Sequence, residues 1–168
     1  LRAEIGATAA EAVVLFAGRL EPRKGSALLC DLVPELLARR AVRFVVLGED
    51  PFGHGEHELA ARCRERQGGR EIGALHLLGR RPLADVRSAM RQADIVLLPS
   101  RWENAPYALL EAMAAGRPLV ASRVGGIPEM VEDGREAILA PDQDWRAHLA
   151  AVERLLDDRE LARRLGGA

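Results

Sequence analysis

Residues 95–116 have the sequence IVLLPSRWENAPYALLEAMAAG, in which an apolar run is followed by a polar stretch and then by a helical pattern. The apolar run, residues 95–98, predicts a buried parallel strand that ends at Pro99. Pro106 suits the first position of a helix, where its missing N–H costs nothing, and Gly116 suits the residue just past the helix end. This stretch therefore predicts a strand, a loop and a helix in that order.

Two carboxylates, Glu103 and Glu111, lie on either side of the predicted helix start. Glu103 belongs to the loop beyond the carboxyl end of the strand, and Glu111 belongs to the helix. Ligands of open α/β sheets bind at this edge of the sheet. A loop carboxylate and a helix carboxylate that face one crevice are suited to hold a polyhydroxylated ligand at two points.

Strand and helix patterns alternate along the whole chain. The apolar runs that predict strands are residues 13–17, 42–47, 74–78, 95–98, 119–121 and 137–140. Helical patterns cover residues 26–40, 57–66, 83–93, 106–115, 128–132 and 144–156, and a charged amphipathic tail helix is predicted over 157–165. Glycine and proline mark loops at residues 51–55 and 67–73. Strands that alternate with helices predict an α/β fold, with a parallel sheet covered by helices on both faces.

The composition is that of one globular domain. The 168 residues include 48% hydrophobic and 29% charged side chains, with a formal net charge of -1. This charge gives no electrostatic reason to expect a nucleic-acid partner, and no apolar run approaches the length of a membrane span. Cys30 and Cys63 lie in predicted helices without a metal-binding spacing, which favours free thiols in a reducing, cytoplasmic setting. Because the sequence lacks an initiating methionine, we expect residues 1–168 to be a single domain excised from a larger protein.

A loop flanked by glycines, FAGRLEPRKG at residues 16–25, follows the first predicted strand. Gly18 permits a sharp exit from the strand, and Gly25 permits close approach of another backbone. Arg19 and Lys24 place two cations beside the start of a helix, an arrangement that favours a phosphate. Surface charge in a strand-to-helix loop is an equally good interpretation of the two cations alone. The loop matches neither the dinucleotide-binding nor the P-loop glycine pattern.

Two other strand ends carry weaker signals. Glu49 and Asp50 follow the second strand, where a helix-capping or loop role is the more ordinary interpretation. Arg81 follows the third strand, and the backbone there is suited to border a base, although Pro82 also marks the start of a helix. The four histidines form no metal-ligand pattern, so we expect no metal site.

In this order and at these spacings, the motifs resemble those of the retaining glycosyltransferases of the two-domain GT-B type, in the large group-4 family (glycosyl transferases group 1). The most specific part of the resemblance is the E-x7-E pattern of Glu103 and Glu111. The loop from Gly18 to Gly25 and the GxPE-like turn at residues 126–129 add support. The resemblance covers nearly the full chain and implies the C-terminal, donor-binding domain, which is the Rossmann-like second half of the GT-B fold.

The resemblance also implies which residues act on the donor. Arg19 and Lys24, beside Gly18, would hold the diphosphate of a nucleotide-sugar donor, and Glu103 would contact hydroxyls of the donor sugar. Cleavage of the sugar–diphosphate bond builds negative charge on the leaving group, and these cations and a helix N-terminus would stabilise that charge without a metal or another cofactor. The residues expected to take part in catalysis are therefore Glu103, Arg19 and Lys24.

Further positions would bind the rest of the donor. Backbone N–H groups around Asn104 and Ala105 would approach the phosphate and the sugar, whereas Pro106 has none to donate. Glu111 would bind the ribose diol, and Arg81 would border the base. These assignments complete a binding site for an intact nucleotide sugar.

The resemblance implies transfer of a hexose-type sugar, with retention of configuration, to a glycan, a lipid or a small-molecule acceptor. The acceptor site would belong to an N-terminal domain of the same enzyme. Any association with a membrane would be made through that domain, at the inner face of the membrane.

Two alternatives stay open on the sequence alone. A non-catalytic nucleotide-binding module would use Arg19, Lys24 and Glu111 but would need no carboxylate for a donor sugar, so Glu103 argues against it. A sugar-nucleotide epimerase-like domain would share the architecture, but it is not expected to contain the E-x7-E segment.

Overall fold

The computed structural model describes residues 1–66, 68 and 73–168. The strands lie close to the predicted ranges: β1 (Ala12–Ala17), β2 (Val42–Leu47), β3 (Leu75–Leu77), β4 (Ile95–Leu98), β5 (Leu119–Ser122) and β6 (Ile138–Ala140). The predicted loop at residues 67–73 lies, apart from Gly68 and Gly73, outside the described residues.

The strands form a six-stranded sheet in the order β3-β2-β1-β4-β5-β6, and every pair is parallel. Strand β1 pairs with β2 along its whole length, from Ala12 opposite Val42 to Ala17 opposite Leu47. Nearly all residues of β1, β2, β4 and β5 are buried, because helices cover both faces of the sheet. The predicted α/β class with a parallel sheet is confirmed.

The helices of the described residues are α1 (Ser26–Arg39), α2 (Gly55–Arg66), α3 (Leu83–Gln92), α4 (Tyr107–Ala114), α5 (Ile127–Met130), α6 (Trp145–Asp157) and α7 (Arg159–Gly166), and Pro22–Lys24 form a short 3-10 helix. None of these described helices is long and apolar enough to cross a membrane.

Helix ends differ from the predictions by one or two residues, and capping accounts for two of these differences. Helix α4 begins at Tyr107, because Pro106 keeps an extended backbone with a ψ of 122° and precedes the helix as its capping residue. Gly116 follows the end of α4 with a φ of 66°, as predicted. Near the carboxyl end of the chain, Asp158 separates α6 from α7 and caps α7 by accepting a hydrogen bond from the Leu161 N–H.

Two apolar layers, one on each face of the sheet, hold the helices. On one face Phe16 and Phe44 pack with residues of α1, α2, α6 and α7. On the other face Leu15 and Val45 pack with residues of α3, α4 and α5. Successive residues of a strand point to opposite faces, which is why neighbouring residues of β1 enter different layers. Each fully buried side chain of this size contributes about 1.5–3 kcal/mol, so the sheet is a stable platform for the loops at its edges.

The strand order brings two loops together at the carboxyl edge of the sheet. Strands β2 and β3 lie on one side of β1, and β4, β5 and β6 lie on the other, so the chain changes direction between β1 and β4. Ligands of open α/β sheets bind in the crevice at such a reversal. The loops that leave β1 and β4 at this point are residues 18–25 and 99–106.

Candidate functional site

The loops that follow β1 and β4 are joined through their backbones. The Arg101 N–H donates a 2.9 Å hydrogen bond to the Arg23 carbonyl oxygen. Gly25 has a φ of 85°, and a Cβ atom at this position would lie 2.0 Å from the Pro99 carbonyl oxygen. Only glycine fits here, because any other residue would overlap the neighbouring loop and adopt a strained φ. The close approach predicted at Gly25 is confirmed, and it holds Lys24 beside the loop that follows β4.

The turn between β5 and α5 supports the same loop from a third direction. Gly125 has a φ of 50°, and a Cβ atom there would lie 1.8 Å from the Glu103 carbonyl oxygen. A Cβ atom on Gly126 would lie 2.0 Å from the Asn104 carbonyl oxygen. The Gly126 N–H also donates a 3.0 Å hydrogen bond to the Glu103 carbonyl oxygen. This turn therefore fixes the backbone of Glu103.

Glu103 is the buried carboxylate of the site, with 5% of its surface exposed. Its Oε1 atom accepts hydrogen bonds from Lys24 Nζ at 2.5 Å and from the Ser100 hydroxyl at 2.7 Å. Arg23 Nη1 lies 3.5 Å from its Oε2 atom. A buried carboxylate requires partners of this kind to offset the loss of water. The fold thus brings Lys24 and Glu103 together, although 79 positions separate them in the sequence.

A second buried carboxylate, Glu21, lies between two arginines of the loop that follows β1. Only 8% of Glu21 is exposed. Its Oε1 atom lies 3.1 Å from Arg19 Nη2 and also accepts a 3.1 Å hydrogen bond from Arg23 Nη2. The side chain of Arg19 is half exposed, so part of its guanidinium group faces solvent at the edge of the sheet.

The start of α4 presents unbonded backbone N–H groups beside Glu103. Asn104 and Ala105 are exposed, and their N–H groups form no hydrogen bond with any described residue. Pro106 is buried and has no N–H. Free N–H groups at the positive end of a helix favour a bound anion.

Gly18, the first residue of the loop that follows β1, is hydrogen-bonded to the end of β2. Its N–H donates a 2.9 Å hydrogen bond to the Leu47 carbonyl oxygen, so the β1–β2 pairing continues to the start of the loop. A Cβ atom on Gly48 would lie 1.8 Å from the Gly18 carbonyl oxygen. The backbones that follow β1 and β2 therefore approach each other closely at Gly18, next to Arg19 in the sequence.

The remaining side chains predicted to bind a ligand have different neighbours. Glu111 lies on α4, and its Oε1 atom is 4.0 Å from Arg87 Nε of α3, beside a depression of about 340 Å³. Arg81 donates a 3.2 Å hydrogen bond to the Leu78 carbonyl oxygen and a 2.5 Å hydrogen bond to the Glu4 carboxylate. Among the described residues, neither side chain joins the ion-pair network of the buried carboxylates.

Asp50, at the end of β2, shapes a turn. Its carboxylate accepts hydrogen bonds from the N–H groups of Phe52, Gly53 and Glu56. Burial raises the pKa of Asp50, but these backbone hydrogen bonds together hold the pKa below its usual range. The loop role predicted for this strand end is confirmed for Asp50.

Other groups with the potential for chemistry have structural partners. Asp142 and Asp144 form an Asp-x-Asp sequence, but Asp144 caps α6 by accepting a 2.9 Å hydrogen bond from the Ala147 N–H. Within residues 1–66, 68 and 73–168, no three His, Cys, Asp or Glu side chains are grouped to hold a metal ion. Cys30 and Cys63 are free and buried, and burial raises the pKa of each thiol to about 12, so neither is a thiolate at neutral pH.

Three residues of the network were not predicted as ligand-binding residues: Glu21, Arg23 and Ser100. Each lies inside a motif singled out from the sequence. Arg23 pairs with a carboxylate of another loop, whereas Glu21 and Ser100 have partners in their own loops and are buried, which the sequence does not show. The only local signal was the density of charged residues after β1, which is equally typical of a solvated surface loop.

Comparisons with known proteins agree with this geometry. Residues 11–158 match the family model described as glycosyl transferases group 1. The chain is 34% identical to the D-inositol 3-phosphate glycosyltransferase of Corynebacterium glutamicum (strain R), over 98% of this chain and 40% of that protein. It is 33% identical to the alpha-D-kanosaminyltransferase of Streptomyces kanamyceticus, over 91% of this chain and 38% of that protein.

A solved structure gives the same result. HepE from Anabaena, crystallised with UDP-glucose, matches with a TM-score of 0.86 and 26% identity, over 99% of this chain and 44% of HepE. The chain thus spans less than half the length of each of these three proteins. Residues 11–158 extend from β1 to the end of α6 and include all three loops that form the site. Family model, relatives and fold agree that this chain belongs to the glycosyl transferases group 1 family.

Proposed function

We propose that this chain is the donor-binding domain of a retaining glycosyltransferase and that it holds a nucleoside diphosphate sugar at the carboxyl edge of β1 and β4. The observation that carries the proposal is the buried Glu103 carboxylate, held by Lys24, Ser100 and Arg23 beside unbonded backbone N–H groups. The complex of HepE with UDP-glucose supports this ligand class. An N-terminal domain of the same enzyme would supply the acceptor, which is a glycan, a lipid or a small molecule.

Arg19 and Lys24 are proposed to hold the diphosphate. The exposed part of the Arg19 guanidinium group offers N–H donors to a phosphate. Lys24 has three N–H donors, so it can keep its hydrogen bond to Glu103 and still donate to a phosphate oxygen. It is the only lysine in the chain, where every other Lys or Arg position is arginine. A compact ammonium group with three donors is suited to a position between a carboxylate and a phosphate.

The carboxylates are proposed to hold the sugars of the donor. Glu103 would accept hydrogen bonds from hydroxyl groups of the hexose, and Glu111 from the two hydroxyl groups of the ribose. The free N–H groups of Asn104 and Ala105 would contact the phosphate nearest the hexose. Arg81, farther along the same edge, would border the base.

The proposed chemistry follows from where charge develops. As the sugar–diphosphate bond breaks, the leaving diphosphate gains negative charge and the sugar gains oxocarbenium character. Arg19, Lys24 and the positive end of α4 would stabilise the leaving group, so the proposal needs no metal ion. Buried Glu103 would hold the sugar in a fixed orientation during this step.

A thermal-shift screen tests the proposal directly. The domain is heated with UDP, GDP or ADP and with the glucose conjugate of each. At a ligand concentration about 100 times Kd, binding contributes about 2.7 kcal/mol, which for a domain of this size raises Tm by roughly 5–10 °C. We expect at least one nucleoside diphosphate and its glucose conjugate to produce such a shift, and the matching nucleoside to produce little.

Two variants assign the shift to the site. Lys24→Ala should abolish most of the ligand-induced shift, measured from the Tm of the variant itself, because its ammonium group is proposed to contact the diphosphate. Arg101→Ala removes a cation from the neighbouring loop that forms no ion pair among the described residues, and the shift should remain. A protein that no nucleotide stabilises, or a Lys24→Ala variant that responds like the wild type, contradicts the proposed function.

A further inference from the structure

Arg23 connects the loop that follows β1 to the loop that follows β4. Its Nη2 atom donates a 3.1 Å hydrogen bond to Glu21, and its Nη1 atom lies 3.5 Å from Glu103 Oε2. The same Nη1 atom donates a 3.5 Å hydrogen bond to the Trp102 carbonyl oxygen, and the guanidinium group lies 6.0 Å from the centre of the Trp102 ring. One planar side chain is therefore held by groups from both loops.

The ion pairs at this edge form a continuous series of alternating charges. The series, defined here as the charge series, is Arg19–Glu21–Arg23–Glu103–Lys24. Each carboxylate in it is buried and is shared by two cations. Among the described residues, Arg23 is the only side chain paired with both carboxylates, so it is the single link between the two halves of the series.

We propose that Arg23 is a positioning residue that couples the diphosphate subsite to the sugar subsite. The inference rests on the proposed function, in which Arg19 contacts the diphosphate and Glu103 contacts the sugar. A rigid, planar guanidinium group that pairs with two carboxylates restrains the distance between them. A shift of Glu21 with Arg19 towards a bound diphosphate is therefore transmitted through Arg23 to Glu103.

Each carboxylate also has a partner other than Arg23. Lys24 and Ser100 still bond Glu103 when Arg23 is removed, and Arg19 still pairs with Glu21. Loss of Arg23 should therefore leave the fold intact and abolish the coupling between the subsites. A residue with a purely structural role would instead change stability and leave the coupling unchanged.

A mutational cycle measures this coupling. Glu21→Gln, Glu103→Gln and the double variant are titrated calorimetrically with UDP-glucose, GDP-glucose or ADP-glucose, whichever the wild type binds most tightly. Residues in one ion-pair network show interaction energies that correspond to roughly 2- to 150-fold in Kd. We expect the fold-loss of the double variant to differ from the product of the single losses by at least about fivefold.

The decisive measurement repeats the cycle in an Arg23→Met background. In that background the loss of affinity in the double variant should equal the product of the two single losses, because the link between the carboxylates is gone. Arg23→Lys should also give losses that multiply, since one ammonium group does not span both carboxylates as the planar fork does. Arg101→Met is the matched control, and in that background the coupling should equal that of the wild type.

The outcomes separate this inference from the proposed function. A coupling of the same size with and without Arg23, or losses that multiply even with Arg23 present, overturns the role of Arg23 while nucleotide binding stands. A wild-type protein that binds none of the glucose conjugates overturns the proposed function, and the inference with it.

Discussion

At the scale of single residues, Gly125 determines where the backbone of the buried carboxylate lies. Its φ of 50° belongs to the left-handed region, and its missing side chain leaves room for the Glu103 carbonyl oxygen. Gly134 also has a left-handed backbone, with a φ of 79°, but a Cβ atom there would meet nothing within 4 Å. A side chain added at Gly134 would meet only the cost of an unfavourable φ, whereas one added at Gly125 would also collide with the Glu103 loop.

Gly125→Ala should destabilise the domain more than Gly134→Ala. The left-handed backbone alone costs a residue with a side chain roughly 1–2 kcal/mol, and overpacking adds about 1–3 kcal/mol where the Cβ atom would collide. Urea unfolding of both variants measures the difference in the free energy of unfolding. Equal losses in the two variants would show that the Glu103 loop yields to the added methyl group and that the turn does not fix it.

The sequence predicted the individual residues of the site better than their connections. Lys24 and Glu103 were identified from their motifs, and the fold places them in contact. The partner Arg23 was not identified, because its contact with Glu103 depends on the loops that follow β1 and β4 meeting at one edge of the sheet. Ser100 was not either, because its hydrogen bond to Glu103 depends on how their shared loop folds. Glu21 was missed because it is buried, and a loop carboxylate beside a proline gives no sign in the sequence that other residues cover it.

At the scale of secondary-structure elements, a buried polar pair joins β5 to α6. The ring of His148 is completely buried, and its Nδ1–H donates a 2.8 Å hydrogen bond to the Asp144 carbonyl oxygen. In the neutral ring with Nδ1 protonated, the Nε2 atom accepts a 3.0 Å hydrogen bond from the Ser122 hydroxyl. Burial lowers the pKa of His148, against smaller opposing effects of Asp144 and Asp142.

This pair predicts a loss of stability in acid. Because the pKa of His148 is lower in the folded state, the unfolded state binds more protons once the pH falls below about 6.5. The stabilisation is complete above that pH and is lost as the pH falls towards the folded-state pKa. Urea unfolding between about pH 7.5 and pH 5 should show a steeper fall in the free energy of unfolding for the wild type than for His148→Gln.

His57→Gln is the matched control, because His57 is exposed on α2. It should retain the pH dependence of the wild type, and carboxylates elsewhere contribute equally to all three proteins. Identical pH profiles for the wild type and His148→Gln would mean that the buried ring makes no contribution to the acid sensitivity.

The elements themselves were largely predictable. The apolar runs of the strands differ from the structure by one residue at most at each end, because strands buried on both faces have a continuous apolar sequence. Helix ends were less certain, since they depend on capping. Pro106 was expected inside α4 but caps it. The tail helix begins at Arg159 rather than at residue 157, because the Asp158 side chain caps it through a hydrogen bond that the helical pattern does not reveal.

At the scale of the whole molecule, the strand order creates the site. Loops that follow β1, β4 and β5 meet because the chain reverses direction between β1 and β4, and two apolar layers hold that edge rigid. Glu103 lies in the loop at this edge and Glu111 on the helix that follows it, and the two carboxylates have different partners. We propose that one ligand is held at two points by these carboxylates.

Calorimetric titration of Glu103→Gln and Glu111→Gln, each with a nucleoside diphosphate and with its glucose conjugate, tests this arrangement most directly. Glu111→Gln should weaken the binding of both ligands by about tenfold or more, because hydrogen bonds to a charged group contribute roughly 1.5–3 kcal/mol. It should barely affect a 2′,3′-dideoxy nucleotide, which lacks the ribose hydroxyls. Glu103→Gln should weaken only the glucose conjugate and leave the free diphosphate nearly unchanged. If Glu103→Gln weakens the free diphosphate as much as the conjugate, Glu103 does not hold the donor sugar.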